Sequence, residues 1–513
     1  MMKKELTRSE FLRRMALLSG GVGLGISGIP GQAYAQMPAG LAASVPEGNA
    51  LVIIQLVGGN DGLNTVIPAE NDIYIAKRPD IAIKKVDALA LKNGMYLHPS
   101  MTGIKSLYDQ GNVSIIQNVG YANPNRSHFR ATDIWNTGSD ANVVWEEGWA
   151  ARFLAEKYPA YPIAMPSHPM AIQLGSVESL LFQSDLGRFG TVFEDPNLFY
   201  QLVSGTLIDD EIPPATLAGD ELAFLKQISS TSLQYSTVIR DKALLGKNAL
   251  TYPATNLAKQ LGIVAKLITG GLETPVYLCT IGGFDTHANQ LNQHANLWKQ
   301  ISDAVAAFQK DLKTQNKANN VTVMTFSEFG RRVNQNGTTG TDHGTAAPMF
   351  VIGDTVRGGL VGENPNLTNL DSNGDIKAVF DYRQVYSTVL MDHLGLTAGS
   401  TSAIFNKSFE RLPIFLSSPL LAEKGVRMVL MDPAPNPASG NVRIQFAAFE
   451  AMRVELALYN LVGEKLSQIF AGEVQSETYT YGYDVSSFAS GTYLLSLSSS
   501  TGERITKRLI LLN

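Results

Sequence analysis

A chain of 513 residues, 44% hydrophobic and 17% charged, has apolar material for two or three domains and a large core. Its formal net charge of -5, from 41 basic and 46 acidic residues, excludes the broad positive surface that nucleic acid or an anionic membrane selects. The single cysteine, Cys279, excludes an internal disulfide and a thiolate cluster; in the apolar run Val276–Ile281 it reads as a small buried hydrophobe.

Residues 1–35 read as an export signal. Lys3, Lys4, Arg8 and the Arg13-Arg14 pair precede a Gly-rich apolar stretch, and Ala33-Tyr34-Ala35 supplies a small-x-small cleavage site. Gly, Ser and Pro30 interrupt that stretch, which argues against a permanent membrane span. The arginine pair resembles a twin-arginine signal, although Phe11-Leu12 stand before the arginines instead of after them; an ordinary secretory signal is the other reading. Either takes the mature protein out of the cytoplasm, with residues 36–47 as a spacer.

The first strand is Ala50–Val57, apolar almost throughout, as a strand covered on both faces should be. It runs into Gly58-Gly59-Asn60-Asp61-Gly62, where Asn-Asp-Gly is a good turn and Asp61 is equally a carboxylate at a strand end with glycines that admit a ligand. A helical segment (Met101–Gln110) leads to a second strand, Val113–Val119, whose outflow carries Arg126-Ser127-His128-Phe129-Arg130. Ser127 suits the N-cap of the following helix; the same position places a hydroxyl beside a helix dipole, ready to attack or hold an oxyanion. Residues from about 140 to 270 predict a helical insertion covering the sheet, with Glu221–Leu245 helical and His168 solvated.

Leu257–Ile268 is amphipathic and feeds the strand Val276–Ile281, which ends in Gly282-Gly283-Phe284-Asp285-Thr286-His287. The i, i+2 pair Asp285 and His287 suits metal chelation. A long helix follows, from about Asn289 to Leu312, in which His294 reads as a packing or surface residue. The strand from Val321 to Phe326 then drops into Ser327-Glu328-Phe329-Gly330-Arg331-Arg332, and a Gly/Thr/Asn loop ends in Asp342-His343-Gly344. A loop that folds back would bring Glu328 and His343 to one point. Met349–Gly353 is one more strand, Tyr386–Leu394 a helix with a structural His393, and the domain ends near Phe415.

In alternating βα units the carboxyl ends of parallel strands share one edge, so these strand ends are expected to meet. Carboxylates and histidines without cysteine suit one or two divalent ions, Zn²⁺, Mn²⁺ or Ca²⁺. Such ions polarise phosphoryl or sulfuryl oxygens, and Arg126, Arg130, Arg331 and Arg332 are candidates to clamp the remaining anionic oxygens.

The composition shifts at Asp432-Pro433-Ala434-Pro435-Asn436-Pro437, after a linker over 416–432. Alternating runs Val442–Phe446, Val454–Asn460 and Gly491–Leu497 predict a small antiparallel β-sandwich over 433–513. Pro435-Asn436-Pro437, Leu458-Tyr459-Asn460 with Gly463-Glu464, Gly491-Thr492-Tyr493-Leu494 and Lys507-Arg508-Leu509-Ile510 make it similar to the C-terminal sorting domain of type IX secretion substrates. That resemblance implies passage through the periplasm and export machinery to the cell surface or medium.

Over residues 48–415, the motifs around Asp61, Ser127-His128-Phe129-Arg130, Asp285-Thr286-His287, Ser327-Glu328-Phe329-Gly330-Arg331 and Asp342-His343-Gly344 resemble domain-of-unknown-function family 1501, distantly similar to sulfatases and alkaline phosphatases. The resemblance implies a doubly wound, mostly parallel α/β sheet, metal ligands at Asp61, Asp285, His287 and His343, and a nucleophile near Ser127. From their own positions at the strand ends, Glu328 and Asp342 complete the candidate ligands, and Arg130 and Arg331 join Ser127 as candidate catalytic residues. Phe329 stands where the superfamily carries an imidazole, and the sulfatase nucleophile motif is absent. Two functions are therefore expected: a metal-dependent hydrolase of phosphate or sulfate esters, or a catalytically degenerate relative that binds a glycan or another anionic ligand.

Overall fold

The structure is a computed structural model that describes residues 48–204, 233–416, 427–475 and 477–512. The export signal, the spacer, the first part of the Glu221–Leu245 helix and most of the linker lie outside the described residues.

The larger domain is built on one nine-stranded sheet. Its strands are β1 (Ala50–Val57), β2 (Val113–Gly120), β3 (Ala171–Leu174), β4 (Gly190–Phe193), β5 (Val276–Gly282), β6 (Val321–Ser327), β7 (Ala347–Ile352), β8 (Gly359–Val361) and β9 (Phe380–Asp381). The order is β8-β2-β7-β6-β1-β5-β3-β4, with β9 also paired to β2. Every pairing is parallel except those of β7 with β6 and β2. The reversed strand has a direct cause: β6 and β7 are joined by a loop with no crossover helix, so the chain returns along the edge it left.

The five helices used below are α1 (Thr102–Asp109), α2 (His128–Thr137), α3 (Asn256–Thr269), α4 (Gln290–Thr314) and α5 (Tyr382–Asp392). They cover both faces. Val52, Ile54 and Leu56 of β1 join one core with α1, α3 and α4 residues, while Leu51 and Ile53 join the other with α2 and α5 residues. This double burial explains why β1 and β6 lack polar alternation. α1 and α4 approach closely at Gly103, where a Cβ would lie 2.6 Å from the Ser302 carbonyl oxygen.

The region 140–270 departs from its expected role. Besides helices it contributes β3 and β4, which extend the sheet beyond β5. Each strand has only four residues, too few to show a period in the sequence.

The C-terminal part is antiparallel. A three-stranded sheet formed by Met428–Leu430, Asn441–Ala448 and Thr478–Asp484 packs with a four-stranded one formed by Lys465–Val474, Met452–Tyr459, Gly491–Ser499 and Arg504–Leu511. Their inward residues, among them Val442, Ile444, Leu456, Leu458 and Leu497, form a separate core. No helix among the described residues is long and apolar enough to cross a membrane.

Candidate metal centre

The loops after β1, β2, β5 and β6 meet at the carboxyl edge of the sheet, and the loop from β6 to β7 is the piece that closes the group. It folds on itself: Gly330 N donates to the Thr345 carbonyl at 2.7 Å, Gly344 N to that of Gly330 at 2.8 Å, and Arg331 bridges His343. Glu328 at one end and His343 at the other are thereby brought to one side. Gly58, at φ +121, lets the β1 loop pass beside Asp285, since a Cβ there would lie 2.3 Å from the Asp285 nitrogen.

Three imidazoles and one carboxylate converge at the rim. Ligand atoms of His128, Asp285 and His343 all lie within 4.8 Å of one another. His287 joins them, with Nε2 at 3.0 Å from Asp285 Oδ1 and 3.0 Å from His343 Nε2. The other nitrogen of each ring is engaged from behind. His128 Nδ1 is 2.9 Å from Glu328 Oε1, His287 Nδ1 is 3.1 Å from Asp342 Oδ1, and His343 Nδ1 is 2.8 Å from the Arg126 carbonyl oxygen. A carbonyl only accepts, so His343 donates from Nδ1, and its neutral ring has a bare lone pair at Nε2. His287 meets a carboxylate oxygen at each nitrogen, Asp342 Oδ1 at Nδ1 and Asp285 Oδ1 at Nε2. The His343 lone pair and His287 Nε2 lie 3.0 Å apart, a gap that either a proton on His287 or a cation bridges. The donor chemistry thus fits a divalent cation, and Nδ1 partners of this kind are the usual way a protein orients metal-binding histidines.

The electrostatics support the same state. Burial pushes the His343 imidazole down from its ordinary value, against the pull of the Arg126 carbonyl. Burial works against ionised Asp285, but Arg331, donating to Oδ1 at 2.6 Å, holds its carboxyl below the usual range. Asp342 is likewise held low, first by the Asn336 side chain. Phe329 forms the floor, its ring centroid 4.9 Å from that of His128 and 4.6 Å from that of His343.

The placements differ from the sequence expectation at several residues. Asp61 lies in a fully buried pair with Arg78, whose Nη1 and Nη2 reach its two oxygens at 2.6 and 3.0 Å, and Gln290 also donates to it. Glu328 and Asp342 stand behind histidines, each bonded to an Nδ1 atom. Arg331, only 2% exposed, is spent on backbone: Nε donates to the Gly59 carbonyl, Nη1 to Thr341 and Nη2 to Gly58 and Phe284, besides Asp285. Arg130 turns to the carbonyls of Ala141 and Val143. Ser127 occupies the N-cap of α2 but makes no side-chain capping bond, and it is exposed. His128 was not among the expected ligands, because the resemblance drew attention to its neighbour Ser127. The available signal was an imidazole at a strand outflow next to two arginines.

His294 is buried beneath the rim, with Nε2 3.1 Å from Asn60 Oδ1. His393 is buried beside β1, with Nε2 3.0 Å from the Ala50 carbonyl oxygen. Both are structural, as expected for His393.

Family models match two segments: a protein of unknown function family (DUF1501) over residues 264–403, and a secretion system C-terminal sorting domain over 434–512. Among solved structures, the chain is similar to an alkaline phosphatase superfamily protein from Vibrio parahaemolyticus, at 9% identity and TM-score 0.32, over 86% of this chain and 81% of that one. It is also similar to the putative sulfatase yidJ from Bacteroides fragilis, at 10% identity and TM-score 0.34, over 87% and 91%. A third is the lipoteichoic acid synthase LtaP from Listeria monocytogenes, at 10% identity and TM-score 0.31, over 85% and 86%. No curated protein shows significant sequence similarity. The chain thus carries a segment of its α/β domain that matches the DUF1501 model and a C-terminal segment that matches a secretion system sorting domain.

Proposed function

We propose that this protein is an exported hydrolase of phosphate or sulfate esters that works with one divalent ion held by His128, Asp285, His287 and His343. The observation that carries the reading is the convergence of His128, Asp285, His287 and His343 at one rim, each ring held at Nδ1 from behind and the Nε2 atoms of His287 and His343 3.0 Å apart. Three nitrogen donors and one carboxylate favour Zn²⁺ or Mn²⁺ over Ca²⁺, which takes oxygen ligands. A second ion at Asp61 does not fit, because Arg78 and Gln290 already use that carboxylate in a closed environment.

When bound, the ion supplies Lewis acidity toward an ester oxygen at the rim. The chain's own residues do the rest. Ser127, uncommitted to capping, adds its hydroxyl oxygen to phosphorus or sulfur while its proton leaves with the alcohol. Water then releases the anion and restores the hydroxyl. The N-terminus of α2 brings free amides and the positive end of its dipole to the same residue. Arg126 and Arg332, both paired to the buried Asp375, present positive charge beside the cluster for the anionic substrate. The sorting domain takes this chemistry to the cell surface or medium.

A binding protein without catalysis is the second reading, favoured by Phe329 at an imidazole position and by the locked Asp61. Metal analysis with aryl phosphate and aryl sulfate assays on wild type, His343→Ala and Ser127→Ala separates the two. The hydrolase reading expects one ion per chain in wild type and lost turnover in both variants. Metal-free wild type, or turnover unchanged in His343→Ala, overturns it.

A further inference from the structure

The C-terminal sandwich comprises β10 (Met428–Leu430), β11 (Asn441–Ala448), β12 (Met452–Tyr459), β13 (Lys465–Val474), β14 (Thr478–Asp484), β15 (Gly491–Ser499) and β16 (Arg504–Leu511). Its sheets run β10-β11-β14 and β13-β12-β15-β16, so β10, β14, β13 and β16 are edges. A bare edge offers its N–H and C=O groups to any passing strand, and proteins usually blunt it. β10 has only three residues. β13 slips register against β12 twice and carries Lys465 and Glu473. β16 is covered by the segment before β11: Ala438 N donates to the Ile510 carbonyl and Leu512 N to the Ala438 carbonyl, both at 2.9 Å, and Asn436 Nδ2 to the Arg508 carbonyl at 2.7 Å. β14 has no such device. It keeps unbroken register with β11, contains neither Lys nor Pro, and pairs with no other strand among the described residues. Its single charge is Asp484, at the end.

Hydrogen-bond alternation fixes which groups face outward. In an antiparallel strand the N–H and C=O of one residue point to the same side, and successive residues alternate. Arg443 exchanges both groups with Ala434, and Gln445 accepts from Met431 N, so neither bonds its β14 neighbour, Gly482 or Thr480. Thr478, Thr480, Gly482 and Asp484 therefore turn their backbone groups to the open edge. Flanking residues obey the same alternation, with Ala448 N donating to the Glu477 carbonyl and Val485 N to that of Gly440. Tyr479, Tyr481 and Tyr483 line the inner face, yet all three are only half-buried. The first stacks on Phe446 at 5.0 Å between ring centroids, and the second lies 5.3 Å from Phe470. Nothing within the fold requires glycine at 482, where φ is outside the left-handed region and a Cβ would meet open space. A glycine inside a strand often marks the close approach of another backbone.

We infer that β14 is a self-association edge, at which a second copy of this chain pairs antiparallel about Tyr481 and joins two three-stranded sheets into one. The edge is complementary to itself in that register. Thr480 faces the second copy's Gly482, and Thr478 faces its Asp484, so outward groups meet only outward groups, in about eight hydrogen bonds. The half-buried tyrosines of the two copies cover one another. Asp484 meets a threonine, and like charges never stand opposite. Sedimentation equilibrium of the full chain between about 1 and 500 µM tests this. A reversible dimer is expected, and a weak one, because two short strands bury less than the roughly 1,200–2,000 Å² of stable complexes. Gly482→Pro removes one outward N–H and spares the ladder to β11. It should raise the dissociation constant by about tenfold or more, with the urea midpoint near that of wild type. The register has its own readout. Position 481 faces itself at about 4.5 Å between Cα atoms, within disulfide reach, so Tyr481→Cys should cross-link on mild oxidation. The two copies of position 483 are about 14 Å apart, and Tyr483→Cys should not. Cys279 is buried and does not compete. A dimer indifferent to Gly482→Pro, or cross-linking no better at 481 than at 483, overturns the inference. So does a monomer at every concentration, which would leave the edge to a strand of another protein.

Discussion

His128 Nδ1 lies 2.9 Å from Glu328 Oε1, the same oxygen that accepts the Gly58 amide at 2.7 Å. One buried carboxylate thus fixes both the orientation of a ring at the rim and the turn after β1. Glu328→Gln keeps the shape and removes the charge. It should weaken metal affinity by about 10- to 100-fold, as loss of such partners generally does. Competition with a chromogenic chelator measures this; unchanged affinity would mean that His128 is not a ligand.

The four rim donors should differ in kind from the residues behind them. His128→Ala, His287→Ala, Asp285→Ala and His343→Ala are each expected to lose the ion on gel filtration. Asp342→Asn should retain it with reduced affinity, since only the Nδ1 partner of His287 changes. Elemental analysis of the eluted peaks decides. Full metal retention in His343→Ala would remove the proposed ligand set.

The pair of Arg78 and Asp61 is fully buried, so breaking it strands a charge. Burial works to raise the Asp61 carboxyl, and Arg78 more than reverses this, holding it below the usual value. Arg78→Met should destabilise the protein by about 3–5 kcal/mol, and the double variant Arg78→Met/Asp61→Leu should recover much of that. Urea denaturation of the single and double variants gives the comparison. An undisturbed Arg78→Met protein would show that the pair is not what holds this loop.

Acid should destabilise the fold through three buried imidazoles. Burial pushes His98 down to about 4, His294 to about 3 and His393 to about 4. In the unfolded chain each titrates near the ordinary 6.5. Between those values the unfolded state binds protons that the native state refuses, so stability is full above about 6.5 and falls as the pH drops toward 4. Each group adds a slope of about 1.4 kcal/mol per pH unit in that window. Urea midpoints at pH 7, 6 and 5 should decline steadily, and less steeply in His393→Asn. A flat profile contradicts the buried neutral state.

Much of the framework was legible because it rests on local apolar pattern. β1, β2, β5, β6, α3 and α4 fall within two residues of their expected bounds, each being a long apolar or amphipathic run. β3 and β4 were not legible, being short and stabilised by neighbours far along the chain. At the site, the meeting of Asp285, His287 and His343 followed from strand order and the returning loop. The division of labour did not follow. Whether a carboxylate faces an open rim or a guanidinium depends on Arg78, seventeen residues after Asp61 and outside every motif. Glu328 and Asp342 carry the right chemistry at the right strand end, but their side chains point at ring nitrogens, a matter of rotamer and packing that spacing does not encode.

The two interior guanidiniums have a consequence for assembly. Arg331 ties the turns after β1 and β5 to the arch between β6 and β7, and Arg78 joins Asp61 of the first turn to Arg332 and Val333 of the same arch. These are cations the polypeptide carries with it, which no chelator can strip. The rim is therefore finished by folding alone, and the proposed ion would enter a completed socket.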